Sequence, residues 1–217
     1  MKLARPRRLL LQAFAATLAF PALASSRRTI ASMTVGPFYP PRAWRERQHG
    51  DWDADLTRVA RDGRVLAARG ERLGLEGRVV DAQGRIVDGA EVEIWQCDAL
   101  GHYTHPSTQR VPAESVDAGF QGFGSARSDA QGIARFVAIR PHPYPGRTPH
   151  IHIRLRHPSF GERISQLFVE NDPGNAGDFL WRSLDAEERE ALAMRLVAAP
   201  AASGLRWQVR QDWVVPG

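Results

Sequence analysis

Cysteine is almost missing from this chain of 217 residues: Cys97 is the only one. A thiolate metal cage needs several sulfurs and a disulfide needs two, so neither is available. Lysine is equally scarce, and arginine carries nearly all the basic charge. There is no Cys-x-x-Cys pair and no glycine-rich loop to cradle a phosphate, and Gly124-Ser125-Ala126 lacks the flanking glycines of a serine nucleophile elbow. Tyrosine occurs three times, which gives weight to where each one stands. The formal charge of +5 misleads, because Lys2, Arg5, Arg7 and Arg8 supply four of those charges and the remainder is nearly neutral. Nothing in it argues for a nucleic-acid partner.

Those four residues belong to a leader. Arg7-Arg8-Leu9-Leu10-Leu11-Gln12 precedes an apolar run through Phe20, and Ala22-Leu23-Ala24 offers a small-x-small cleavage site before Ser25. Residues 1–24 read as a twin-arginine export signal, with an ordinary secretory signal as the alternative. The apolar run is too short to span a bilayer, so no stable membrane association is expected after processing. The mature protein is expected to be exported, either periplasmic or secreted. With one cysteine it must be held together by core burial and by any bound metal.

Residues 25–70 read as an irregular arm whose Pro37, Pro40 and Pro41 forbid a regular start, with one short helix expected near Asp53 to Val59. From Leu73 onward the pattern is of short strands: Leu73–Asp81, Ala90–Gln96, Gly132–Ala138, His150–Arg156, Arg163–Val169 and Leu205–Val214. Asp81-Ala82-Gln83-Gly84 and Asp129-Ala130-Gln131-Gly132 read as hairpin-type turns. This spacing predicts an all-β fold, a single β-sandwich over residues 71–217. One helix is expected to interrupt it, Asp185 to Ala198, opened by a capping box of Asp185 and Glu188. Trp207 and Trp213 in the last strand are expected in a core or an interface.

The chemistry concentrates at Pro149-His150-Ile151-His152-Ile153-Arg154. Strict alternation there puts two imidazoles on one face of a strand and two isoleucines on the other. Tyr144 lies just upstream, and Tyr103 stands in a turn able to face the pair. A phenolate is a hard anionic donor suited to a hard, highly charged cation, so two His with two Tyr suggest ferric iron. His-x-His also occurs on cupin strands, but Arg156 and His157 stand where a cupin would place its glutamate. A copper or zinc site from His102, His105, His150 and His152 is a further alternative.

In their order along the chain, these residues resemble the intradiol ring-cleavage dioxygenases. Thr34-Val35-Gly36-Pro37-Phe38-Tyr39-Pro40 is similar to that family's entry segment, and Leu75-Glu76-Gly77-Arg78-Val79-Val80-Asp81-Ala82-Gln83-Gly84 to its first sandwich hairpin. Val92-Glu93-Ile94-Trp95-Gln96 then leads to Gly101-His102-Tyr103. Tyr144-Pro145-Gly146-Arg147-Thr148-Pro149-His150-Ile151-His152 is followed by Ser165-Gln166-Leu167-Phe168. The resemblance covers roughly residues 34 to 215.

It implies a non-haem Fe(III) enzyme that cleaves a small aromatic diol with O2, between the two hydroxyl-bearing carbons, to a cis,cis-muconate-type product. It implies Tyr103, Tyr144, His150 and His152 as metal ligands, with Tyr144 the one displaced by a chelating diol. Arg147 would stabilise negative charge on the ring, Gln166 would lie near the same pocket, and Tyr39 would line it. The segment from Tyr144 to His150 is short beside that of the well-known ring-cleaving enzymes, so a wide mouth is expected. The identity of the diol, and whether the chain forms a homo-oligomer, are left open. Gly77 to Trp95 taken alone also resembles transthyretin-like and carboxypeptidase-regulatory-like modules, which would make the protein a binding module instead.

Overall fold

The computed structural model describes residues 27–48 and 52–217; the leader expected at residues 1–24 lies outside them. Its fourteen regular elements are helices α1 (Arg42–Arg45), α2 (Phe179–Ser183) and α3 (Ala186–Leu192), with eleven strands. The strands are β1 (Arg58–Arg61), β2 (Arg64–Ala67), β3 (Arg72–Asp81), β4 (Glu91–Trp95), β5 (Phe123–Arg127), β6 (Ile133–Ile139), β7 (His150–His157), β8 (Gly161–Val169), β9 (Ala193–Met194), β10 (Val197–Ala198) and β11 (Trp207–Val215). Two sheets face each other, one in the order β10-β11-β3-β6 and one in the order β5-β4-β7-β8-β9. The expected β-sandwich is therefore the fold, with β1 and β2 forming a separate antiparallel hairpin.

Alternation builds the core between the sheets. Leu73 and Leu75 from β3, Ile94 from β4, Ile151, Ile153 and Leu155 from β7 and Leu167 from β8 are all completely buried there. Each such side chain contributes about 1.5–3 kcal/mol by leaving water. Trp213 is buried in the same core, as expected, while Trp207 is partly buried against it. The Trp213 indole lies across Gly77, where a Cβ would stand 2.1 Å from the ring. That glycine is required by the close approach of β11, which runs parallel to β3.

The local expectations need three corrections. No helix forms at Asp53 to Val59: the Asp53 side chain accepts from the Asp55 amide at 2.7 Å and that of Asp55 from the Thr57 amide at 3.0 Å. Such side-chain acceptors compete with helical hydrogen bonds, and the chain passes into β1. The late helix opens with the expected Asp185 and Glu188 capping box but ends at Leu192, not Ala198. Burial of Leu192 and Met194 draws the next residues alongside β8, where β9 pairs in parallel. A second short helix, α2, precedes it and is capped by Asp178, and β5 was hidden by its glycine and serine. Of the two Asp-x-x-Gly turns, which form with Gly84 and Gly132 at φ +81° and +75°, the first closes an antiparallel bridge of Val80 with Ile86 before the chain crosses to β4 in the other sheet, and the second carries it back from β5 to β6.

The arm is tied across both sheets. The Ile30 amide donates to Val214 at 2.8 Å and the Met33 amide to Ile164 at 2.8 Å. It then crosses the outer face of the five-stranded sheet, which is why β7 is buried on both sides from His150 to Ile153. Among the described residues no helix is long and apolar enough to cross a membrane.

Candidate metal centre

The alternation of β7 delivers Ile151 and Ile153 to the core and puts His150 and His152 on the opposite face, where each is almost wholly buried. Register supplies the neighbours: His152 lies opposite Trp95 on β4 and opposite Gln166 on β8. Tyr103 comes from the loop after β4, where the Asp98 side chain accepts from the amides of Leu100 and His102 at 2.8 and 2.9 Å. Tyr144 opens a tight turn in which the Arg147 amide donates back to the Tyr144 carbonyl at 2.9 Å, with Gly146 at φ +82°. That turn puts the Arg147 side chain beside the Tyr144 phenol.

The four rings surround one small volume. Centroid separations are 4.9 Å for His150–His152, 5.5 Å for Tyr144–His150, 5.6 Å for Tyr103–Tyr144 and 6.0 Å for Tyr103–His152. His150 Nδ1 lies 2.6 Å from the Thr148 carbonyl, which can only accept. Nδ1 therefore carries the proton, and Nε2 accepts from the Tyr103 hydroxyl at 3.2 Å. Neither nitrogen of His152 has a hydrogen-bond partner among the described residues, although the side chain is 2% exposed. Its ring is fixed by stacking on Trp95, at 4.7 Å and 11°, and faces Gly36, where a Cβ would come within 3.2 Å of Cε1. Phe38 stacks on Tyr103 at 4.7 Å.

Burial dominates the proton affinities. It drives His150 down to about 4, with the Arg147 charge adding to the effect. His152 falls well below the ordinary imidazole value through burial, then His150 and Arg147. Burial also holds the Tyr103 phenol well above its usual value. Tyr144 is raised by burial too, but the Arg147 guanidinium pulls against that rise. The site thus offers neutral imidazoles and phenols whose protons only a strong cation would displace. The unshared lone pair of a neutral His152, left without a donor in a dry interior, fits a metal better than it fits a packed core.

Arg147 donates through Nε to Asp178 at 2.8 Å, through Nη1 to the Tyr144 hydroxyl at 3.4 Å, and through Nη2 to Gln166 Oε1. Arg147 and Gln166 thus lie in contact with each other, with Arg147 beside the Tyr144 hydroxyl. Tyr39 is turned away: its hydroxyl donates to Glu93 at 3.0 Å and accepts from Arg154 at 3.1 Å, with its ring edge-on to Trp95. His105 caps a short 3₁₀ turn through Ser107, and Cys97 is buried with its Sγ on the His142 carbonyl at 3.2 Å. No three His, Cys, Asp or Glu side chains gather as a metal site among the described residues, which leaves the all-histidine alternative without its cluster. Roles for Trp95, Thr148 and Asp178 did not emerge from the sequence. For Trp95 the signal was there, since a strand paired with β7 presents every second residue to the histidine face.

The structure is thus a two-layer sandwich that carries a cluster of two tyrosines and two histidines on the outer face of its five-stranded sheet. The family model described as Dioxygenase matches residues 36–212, and the chain belongs to the intradiol ring-cleavage dioxygenase family, whose members are Fe(III)-type oxidoreductases. It is 36% identical over 155 residues to the protocatechuate 3,4-dioxygenase beta chain of Burkholderia cepacia, covering 67% of this chain and 64% of that one. It is 30% identical over 124 residues to a hydroxyquinol 1,2-dioxygenase of Corynebacterium glutamicum, covering 49% of this chain and 38% of the relative. The chain thus spans less than two thirds of either relative. The fold matches the dioxygenase domain of a carbohydrate-binding fusion protein from Streptomyces sp. SirexAA-E with a TM-score of 0.63 at 23% identity, over 87% of this chain and 99% of that domain.

Proposed function

We propose that this protein binds one ferric ion through Tyr103, Tyr144, His150 and His152 and cleaves a catechol-type diol between its hydroxyl-bearing carbons with O2. The observation that carries the proposal is the buried meeting of two phenols and two imidazoles, with both nitrogens of His152 unpartnered. Ferric iron supplies Lewis acidity toward a bound diol and its reaction with O2. The chain's own groups supply the rest. His150 is locked by the Thr148 carbonyl in the tautomer that keeps Nε2 as a donor atom. Tyr144 is less buried than Tyr103 and has Arg147 beside its oxygen. As the more exposed of the two phenols, it would be the one placed to take a proton from an incoming diol. Arg147, nearly buried and held on three sides, offers a fixed positive charge where negative charge grows on the ring. Gln166 steadies that guanidinium. Protocatechuate, hydroxyquinol and simple catechols are all candidate substrates, and the short loop from Tyr144 to His150 supports an open mouth. Twin-arginine export is part of the same reading, since that route carries folded, metal-loaded proteins.

Phenolate on ferric iron absorbs visible light, whereas zinc or an empty site does not. Protein supplied with iron should be red to burgundy, and Tyr103→Phe or Tyr144→Phe should shift or bleach the band. Oxygen uptake with a panel of catechol, hydroxyquinol and protocatechuate completes the test. A colourless, iron-free protein sinks the metal assignment. An iron-loaded protein that consumes no oxygen with any diol favours a binding module instead.

A further inference from the structure

We infer that Asp178 is the positioning residue of this site, one carboxylate that aims the Arg147 guanidinium and at the same time anchors the backbone that orients His150. The inference rests on the iron-dependent reading above. Asp178 is 1% exposed and its side chain is wholly buried. It is the N-cap of α2, and Oδ1 accepts from the amides of Leu180 and Trp181 at 2.9 and 3.0 Å. Helix capping consumes only that oxygen. Oδ2 points the other way and accepts from Arg147 Nε at 2.8 Å and from the Thr148 amide at 3.0 Å.

Both of those contacts lead to the metal cluster. With Nε held, the guanidinium plane is set and its remaining N–H groups reach Tyr144 and Gln166. With its amide held, and its hydroxyl bound to Asn175 at 2.8 Å, Thr148 presents its carbonyl to His150 Nδ1. A flexible arginine free to swing would spend little time with its charge over the ring. A carboxylate that makes a charge-assisted bond from a fixed helix end removes that freedom. α2 is short, and its packing alone gives no reason for its cap to carry a second oxygen toward another loop.

The test compares Asp178→Asn with Asp178→Ser, because serine keeps a cap oxygen for α2 and lacks the second oxygen. In metal-free, nitrogen-15-labelled protein the Arg147 Nε–H signal should be slow to exchange, and in both variants it should exchange freely. In iron-loaded protein kcat should fall by about 10- to 100-fold, as misplacement of a reacting group predicts, while anaerobic diol binding, read from the visible band, holds. In an Arg147→Ala background the same substitutions should cost clearly less than in the parent, since the share acting through Arg147 is already lost and only the share acting through Thr148 remains. Equal losses of kcat in both backgrounds, or an unchanged Nε–H, overturn the inference. So does collapse of the fold in both variants, which would make the carboxylate a support of the fold rather than of the arginine. A parent protein that turns over no diol overturns the enzyme reading alone, and the exchange measurement still decides the role of Asp178.

Discussion

Replacing His152 by leucine is expected to stabilise the metal-free protein and abolish ferric binding. The imidazole sits in a dry interior with two nitrogens that find no partner among the described residues, and each such atom costs about 1–3 kcal/mol. Leucine is close to histidine in size, so repacking should cost less than about 1.5 kcal/mol. Loss of the stack on Trp95 removes a further ~0.5–1.5 kcal/mol. Taken at mid-range, these terms leave a gain of about 2 kcal/mol, worth roughly 4–8 °C in Tm for a domain of this size. Adding iron should reverse the order, because the parent gains about 2.7 kcal/mol at a hundredfold excess over Kd and the variant gains nothing. Thermal scans of chelator-treated and iron-loaded samples measure both halves. A metal-free variant less stable than the parent, or one whose Tm rises with iron as the parent's does, refutes the reasoning.

Two more outcomes follow from the same structure and sequence. In metal-free protein an unfolded imidazole titrates near 6.5 and His150 near 4, so between those values the unfolded chain binds the extra proton. Stability should therefore fall as pH drops through that window, by up to about 3 kcal/mol at its lower end. His152 is shifted in the same direction and deepens the loss. Comparing urea midpoints at pH 7 and pH 5 separates this from carboxylates held below their ordinary range, which lose their contribution at lower pH, and a flat profile contradicts the burial argument. Changing Arg7 and Arg8 together to lysine keeps the leader's charge but should trap the precursor inside the cell; normal processing of that double variant points to an ordinary secretory route.

The donor set was legible because a strand has the shortest period in protein structure. Four residues of β7 are enough to say that His150 and His152 share a face. Tyr103 and Tyr144 stand out through rarity and position. What supports them was not legible, because it comes from contacts distant in sequence. Nothing near Arg147 announces that its Nε will be held by Asp178, or that Gly36 and Phe38 will pack against His152 and Tyr103. Short elements failed for a related reason. The chain after Leu192 reads locally as continued helix, and the pull of Met194 toward the core decides otherwise. Near Asp53 the side chains themselves outcompete the helix. The Asp-x-x-Gly turns were recognisable as turns, but which sheet the next strand joins is a property of the whole sandwich.

The arm that brings Gly36 and Phe38 to the donor rings has a consequence for how the site comes into being. Segment 33–39 is synthesised before any of the four donors, yet its resting place on His152 and against Ile164 exists only once β7 and β8 have paired. The donor cluster therefore stays open on one side until the earliest part of the sandwich chain returns to cover it. On the proposed ferric reading, closing that side and capturing the cation would be linked events, each strengthening the other by the same factor. The arm would then act as a clasp that encloses the cation as the chain finishes folding.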